Sequence, residues 1–123
     1  MIIKKNNMTN LTKEQYPETY KECCDVLGIG TMDNDANGYK HFLIIQFQEL
    51  IIARDAYWKI AGGWEPNWND PTNTYYTITV KCNEIYKSQG HRHNTLLAFP
   101  TEEMRDTFYE NFKNTIENCK ELL

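Results

Sequence analysis

The sequence has few of the features that would identify a chemistry. It carries no G-x-S-x-G, no phosphate-binding glycine loop, no H-E-x-x-H and no dinucleotide fingerprint, so the enzyme classes marked by those motifs have no support here. No apolar run approaches the ~20 residues that a membrane-spanning helix requires. The start, Met1-Ile2-Ile3-Lys4-Lys5-Asn6-Asn7, also lacks the apolar core and cleavage site of a secretory signal. Both absences predict a soluble, cytoplasmic protein with no membrane partner. Positive charge is not in excess. The formal net charge of -4 argues against a protein that grips a phosphate backbone over its whole surface, so nucleic acid is not an expected partner. Cys23, Cys24, Cys82 and Cys119 form no C-x-x-C pair, and adjacent cysteines do not readily bond to each other; reduced thiols are expected.

What is present is a globular composition: 41% hydrophobic, 24% charged and 13% aromatic residues in a chain of 123. That length suits one domain with one core, needing neither disulfides nor metal. Residues 1–10 are Asn- and Lys-rich without periodicity and read as a flexible N-terminus. Residues 11–123 contain no repeat, linker or low-complexity segment and read as a single α+β domain.

Thr12 with Gln15 resembles a capping box, whereas Pro17 suits the first position of a helix, so one or two helical segments begin the domain. Tyr20, Cys23, Cys24 and Leu27 give that region an apolar stripe, ended by Gly28 and Gly30. From Tyr39 to Ala61 runs the longest periodic segment. At 100° per residue His41, Gln48, Asp55 and Lys59 share a narrow polar stripe, while apolar residues fill much of the remaining circumference. Such a helix is packed on more than one side. Gln46, Glu49 and Arg54 fall among apolar neighbours, which predicts that they reach solvent at a helix edge or pair with other elements.

Gly62-Gly63 stops the central helix, and Trp64 to Pro71 is a loop by its prolines and turn residues. Tyr75 to Val80 alternates as a strand, with Tyr76, Ile78, Val80 and Cys82 on one face. Asn83 to Asn94 is polar and reads as an extended loop, with Ile85 and Tyr86 as a potential extension of the first strand. A second strand from about Thr95 to Phe99 completes an antiparallel two-stranded hairpin. Pro100 breaks it, and Thr101 caps a C-terminal helix with Glu102 and Glu103 in its first turn. Met104, Phe108, Phe112, Ile116, Cys119 and Leu123 then form its apolar stripe.

Three groups of residues invite a chemical reading. Asp33-x-Asp35-x-Asn37-Gly38 matches the first half of a calcium loop, but Ile44 stands where the twelfth-position glutamate belongs, so a turn is expected. His91-Arg92-His93 with Cys82 matches no established zinc spacing. No metal and no cofactor are therefore expected. Trp58, Trp64, Trp68, Tyr75 and Tyr76 concentrate around the end of the central helix, where rings serve either to anchor the loop or to stack on a partner. Trp64, Trp68, Tyr75, Arg54 and His93 are the candidate ligand- or partner-binding residues.

The set Trp64-x-Pro66-x-Trp68, a Tyr-rich strand, and Leu97-Ala98-Phe99-Pro100-Thr101-x-Glu103-x-Arg105-Asp106-x-Phe108-x-x-x-Phe112 resembles a group of small uncharacterised proteins of Bacteroidales bacteriophages and mobile elements. The likeness covers roughly residues 16–123. It implies a context, inside a bacterial host cell or as part of a virion, and no activity. The expected function is a non-enzymatic protein-interaction module with a protein partner. Homo-oligomerisation through the second face of the central helix or the sheet edge is an added expectation. The rival readings are a binder of a nucleotide signal or sugar and, less favoured, a small enzyme using Glu49 or a histidine as general base.

Overall fold

The computed structural model describes residues 15–31, 39–90 and 95–123. The calcium-like turn, the His91–His93 segment, Thr12 and the N-terminal ten residues lie outside that set. Among these residues, three α-helices and a three-stranded antiparallel sheet give the expected α+β architecture: α1 (Tyr20–Leu27), α2 (Tyr39–Ile60), β1 (Tyr75–Lys81), β2 (Glu84–Gly90), β3 (Leu97–Phe99) and α3 (Glu102–Cys119).

The first helix begins later than Pro17 suggests. Thr19 is the N-cap, its hydroxyl accepting from the Glu22 N–H, and Pro17 lies two residues upstream in the lead-in. Gly28, at φ 71°, supplies the left-handed residue that lets its own N–H reach back to Asp25 O and closes the helix. The second helix buries Leu43, Ile45, Leu50, Ala53, Ala56 and Tyr57. Helices α1 and α3 both pack on it, as its broad apolar circumference requires. The polar stripe stays outside: His41, Gln48 and Lys59 are exposed. Gln46 and Glu49 hydrogen-bond each other, and Asn118 of α3 donates to Gln46.

The sheet order is β2-β1-β3. β1 and β3 pair antiparallel, Tyr76 opposite Phe99 and Ile78 opposite Leu97, as the alternation in both segments implies. The extended loop expected between them contains a further strand. β2 pairs with β1 along its whole length through a two-residue turn at Cys82-Asn83, so Ile85 and Tyr86 belong to this strand and do not extend the first. Both turn residues have positive φ, 53° and 65°, the mirror-image turn whose twist suits a hairpin, built here without glycine. The strand escapes pattern reading because it is an edge with much of both faces in water. Glu84, Tyr86, Lys87 and Gln89 are exposed, so no hydrophobic alternation is needed to hold it.

At the joint into α3, Thr101 accepts from the Met104 N–H, and Met104, Phe108, Phe112, Ile116 and Cys119 are all buried. Arg105 lies in the first turn of α3 beside Asp106, yet it does not face solvent. It is 6% exposed, its Nε and Nη2 donate to Asp106, and Nη1 donates to Ser88 O of β2 at 2.9 Å. The guanidinium thus ties the start of α3 to the edge strand, and burial without that carbonyl and carboxylate would be costly.

Tyr57 is the centre of the core. Its ring stacks on Tyr16 at 5.2 Å and meets Phe99, Phe108 and Phe112 edge-on. Its hydroxyl donates to Pro17 O at 2.8 Å and accepts from Asn111 Nδ2 at 3.1 Å. Tyr57→Phe should lower stability by about 1–2 kcal/mol, because Pro17 O and Asn111 lose a buried partner; the urea midpoint of the variant measures it.

Burial also raises the acid groups of this core. Cys23 is pushed up to about 12, by burial first and then by Cys24 and Glu22; Cys119 is pushed to about 11 by burial alone. Tyr16 rises to about 12 through burial and the Glu103 charge. From their ordinary values of 9.0 and 10.0 upward, the unfolded chain releases these protons while the folded chain keeps them. The associated stability is intact below pH ~9 and falls as pH rises toward ~12. Urea midpoints under reducing conditions should decline over that range, and Tyr16→Phe should make the decline above pH ~10 shallower without removing it, because burial raises the Tyr57 hydroxyl as well.

Candidate functional site

The surface around the end of α2 is built by one aromatic row. Gly62 and Gly63, at φ 83° and 79°, reverse the chain so that the N–H groups of Gly63 and Trp64 both donate to Trp58 O. Trp64 is thereby folded back, edge-on to Trp58 at 5.7 Å. Trp64 meets Tyr75 at 5.7 Å and Trp68 meets Tyr75 at 4.8 Å, again edge to face. The Tyr75 hydroxyl donates to Asn67 O at 2.8 Å and accepts from Asn67 N at 2.7 Å and Asn73 Nδ2 at 3.2 Å. Tyr75 is only 3% exposed, so it works as the pin that shapes the loop, while Trp58, Trp64 and Trp68 keep part of their surface in solvent.

Arg54 extends the row, its guanidinium 4.1 Å from the Trp58 ring centre. It is also engaged elsewhere: Nε and Nη2 donate to Asp55 Oδ1 at 3.1 and 2.8 Å, and Nη1 donates to Leu96 O at 3.1 Å. Trp58 Nε1 donates to Ala98 O at 2.8 Å. These two carbonyls point outward from β3, because Leu97 and Phe99 face β1. The helix therefore closes the sheet's edge with side chains. The match is geometric: residues i and i+4 of a helix are ~6.0 Å apart along its axis, and carbonyls two residues apart in a strand are ~6.7 Å apart. Arg54 thus pairs with another element, as its place among apolar neighbours implies.

Two open depressions flank Trp64. One, about 380 Å³, is lined by Arg54, Asp55, Trp58, Lys59, Gly63, Trp64 and Glu65. The other, about 240 Å³, lies among Trp64, Glu65, Asn67, Asn73, Thr74, Tyr75 and Pro100. Charge in the first is mostly committed, Arg54 to Asp55 and Lys59 to Val26 O at 2.9 Å, and Glu65 is exposed. Of the five candidate residues the structure brings Arg54, Trp64, Trp68 and Tyr75 into this one row, and His93 lies outside the described residues. Trp58 and Asp55 complete the surface. The i, i+4 pairing of Arg54 with Trp58 is the sequence signal for the first of them; the carbonyls they seal have none.

Glu49 is separate from this row. Burial raises its carboxyl above the usual range, and it accepts from Gln46 Nε2 at 3.3 Å. Among the described residues, no group of three or more His, Cys, Asp or Glu side chains could hold a metal ion, and no helix is long and apolar enough to cross a membrane. Compared with protein-family models, curated proteins and solved structures, the chain matches none.

Cutting either seal should leave a carbonyl without that donor, Ala98 O of β3 or Leu96 O just before it. Arg54→Met and Trp58→Phe should each cost about 1–2 kcal/mol. The double variant should cost less than their sum by about 0.5–1 kcal/mol, since the guanidinium and the indole also interact with each other. A double-mutant cycle on urea midpoints measures both effects.

Proposed function

We propose that the protein is a non-enzymatic protein-interaction module of a bacteriophage or mobile element, binding a protein partner through the Trp58–Trp64–Trp68 surface. The observation that carries the reading is the way these rings are held. Each tryptophan is half-buried and locked edge-on by a neighbour, with the loop beneath fixed by the Tyr75 hydroxyl. Rigid aromatic side chains that keep exposed area lose little entropy on binding and supply much of the energy at protein interfaces. The flanking depressions are open to solvent, a form that suits a protein side chain better than an enclosed small molecule. The phage or mobile-element setting rests on the resemblance carried by the Trp64–Trp68 and Leu97–Phe112 segments, and it puts the protein in a host cell or a virion.

A small ligand such as a nucleotide signal or sugar is the competing occupant, favoured by the two depressions beside Trp64. A photo-crosslinking residue at Glu65, with a control at exposed Glu117 on α3, separates the readings. In the native host, Glu65 should give one discrete protein adduct that the Glu117 control does not, and Trp64→Ala should remove it. Absence of any adduct, together with a small molecule retained in native mass spectrometry, would overturn the protein-partner reading; an adduct with the chain itself would convert it to homo-oligomerisation.

A further inference from the structure

We infer that the depression between Trp64 and Tyr75 receives an arginine side chain of the partner protein, its guanidinium lying on the Trp64 ring and pairing with Glu65. The inference rests on the protein-partner reading of this surface and names the group that the partner presents.

Arg54 displays the same arrangement within the chain. Its guanidinium lies 4.1 Å from the Trp58 ring centre and donates through Nε and Nη2 to Asp55 Oδ1. The next ring of the row, Trp64, also has a carboxylate beside it, at Glu65. Among the described residues no cation stands over Trp64, and Glu65 is exposed and makes no ion pair.

The two depressions beside Trp64 differ in charge. The larger sets Arg54 and Lys59 against Asp55 and Glu65, so it favours neither sign. In the smaller, Glu65 is the one charged residue among those described in the wall. A further acceptor follows from the Tyr75 hydroxyl. Its single proton goes to Asn67 O, so Asn73 can bond it only through its NH2 group. The Asn73 amide oxygen is left, among the described residues, without a donor. A carboxylate, a spare acceptor and two rings inclined at 68° together select a cation. At about 240 Å³ the space falls below the ~300–1,000 Å³ of small-molecule pockets and suits one long side chain. Arginine fits it better than lysine. A planar guanidinium stacks on a ring while offering parallel donors to a carboxylate, whereas an ammonium is a compact and strongly hydrated charge.

An NMR titration of the full chain with Nα-acetyl-arginine N-methylamide, read at the Trp64 indole N–H and the Asn73 side-chain amide, tests the inference. Both signals should shift saturably. The citrulline analogue keeps the shape without the charge and should bind about tenfold more weakly, a difference of about 1.4 kcal/mol. Glu65→Gln should weaken the arginine compound about fivefold, near the upper limit for an exposed pair, with the urea midpoint unchanged. No saturable shift, equal binding of the citrulline compound, tighter binding of the lysine analogue, or full affinity in Glu65→Gln would each overturn it. The crosslinking experiment replaces Glu65 and reads only whether a protein adduct forms, so the two fail separately. An adduct without an arginine response removes this inference alone; an arginine response without an adduct leaves a guanidinium site and removes the partner reading.

Discussion

The Tyr57 hydroxyl is the polar group on which this fold depends. A phenol placed in a core gains the packing of a large ring and incurs the desolvation of its oxygen, so the position is stable only where a donor and an acceptor converge on it. Here the acceptor, Pro17 O, comes from the segment before α1, and the donor, Asn111, comes from α3, so the two outer helices are registered against α2 through one oxygen. The ring then meets Phe99 and carries the registration into the sheet. Shape alone would let the helices slide by a fraction of a turn. The directional bonds at Tyr57 remove that freedom.

The central helix has a second role at its flank. Elsewhere it fills the core with Leu50, Ala53 and Ala56; at Arg54 and Trp58 it stands beside β3 in place of a neighbouring strand. That arrangement explains why two residues suited to ligand binding by type sit where they do. It also leaves the aromatic row rigid at one end, because Trp58 is anchored in the sheet by its indole N–H and Trp64 and Tyr75 are built outward from it.

Much of this was legible in the residues. The C-terminal helix, its Thr101 cap and its stripe follow from local pattern, and the structure buries Met104, Phe108, Phe112, Ile116 and Cys119. The broad apolar surface of α2 foretells packing on two sides. What the pattern hides is set by tertiary partners. Edge strand β2 has polar residues on both faces and needs no alternation, so it resembles a loop. Arg105 looks like an exposed partner of Asp106 until Ser88 O is brought to it across the sheet. The aromatic concentration is visible in sequence, but the division of labour within it is not: Tyr75 pins the loop while its neighbours keep solvent-facing surface.

The seal between α2 and β3 behaves as a vernier. A helix advances ~6.0 Å over four residues and a strand ~6.7 Å over two, so two rungs match to within the tolerance of a hydrogen bond. A third rung would fall ~1.4 Å out of step, and the helical rotation of 40° per four residues would swing its side chain further away. A helix can therefore stand in for a strand over a short reach only. The use of just two sealing side chains, Arg54 and Trp58, fits that limit.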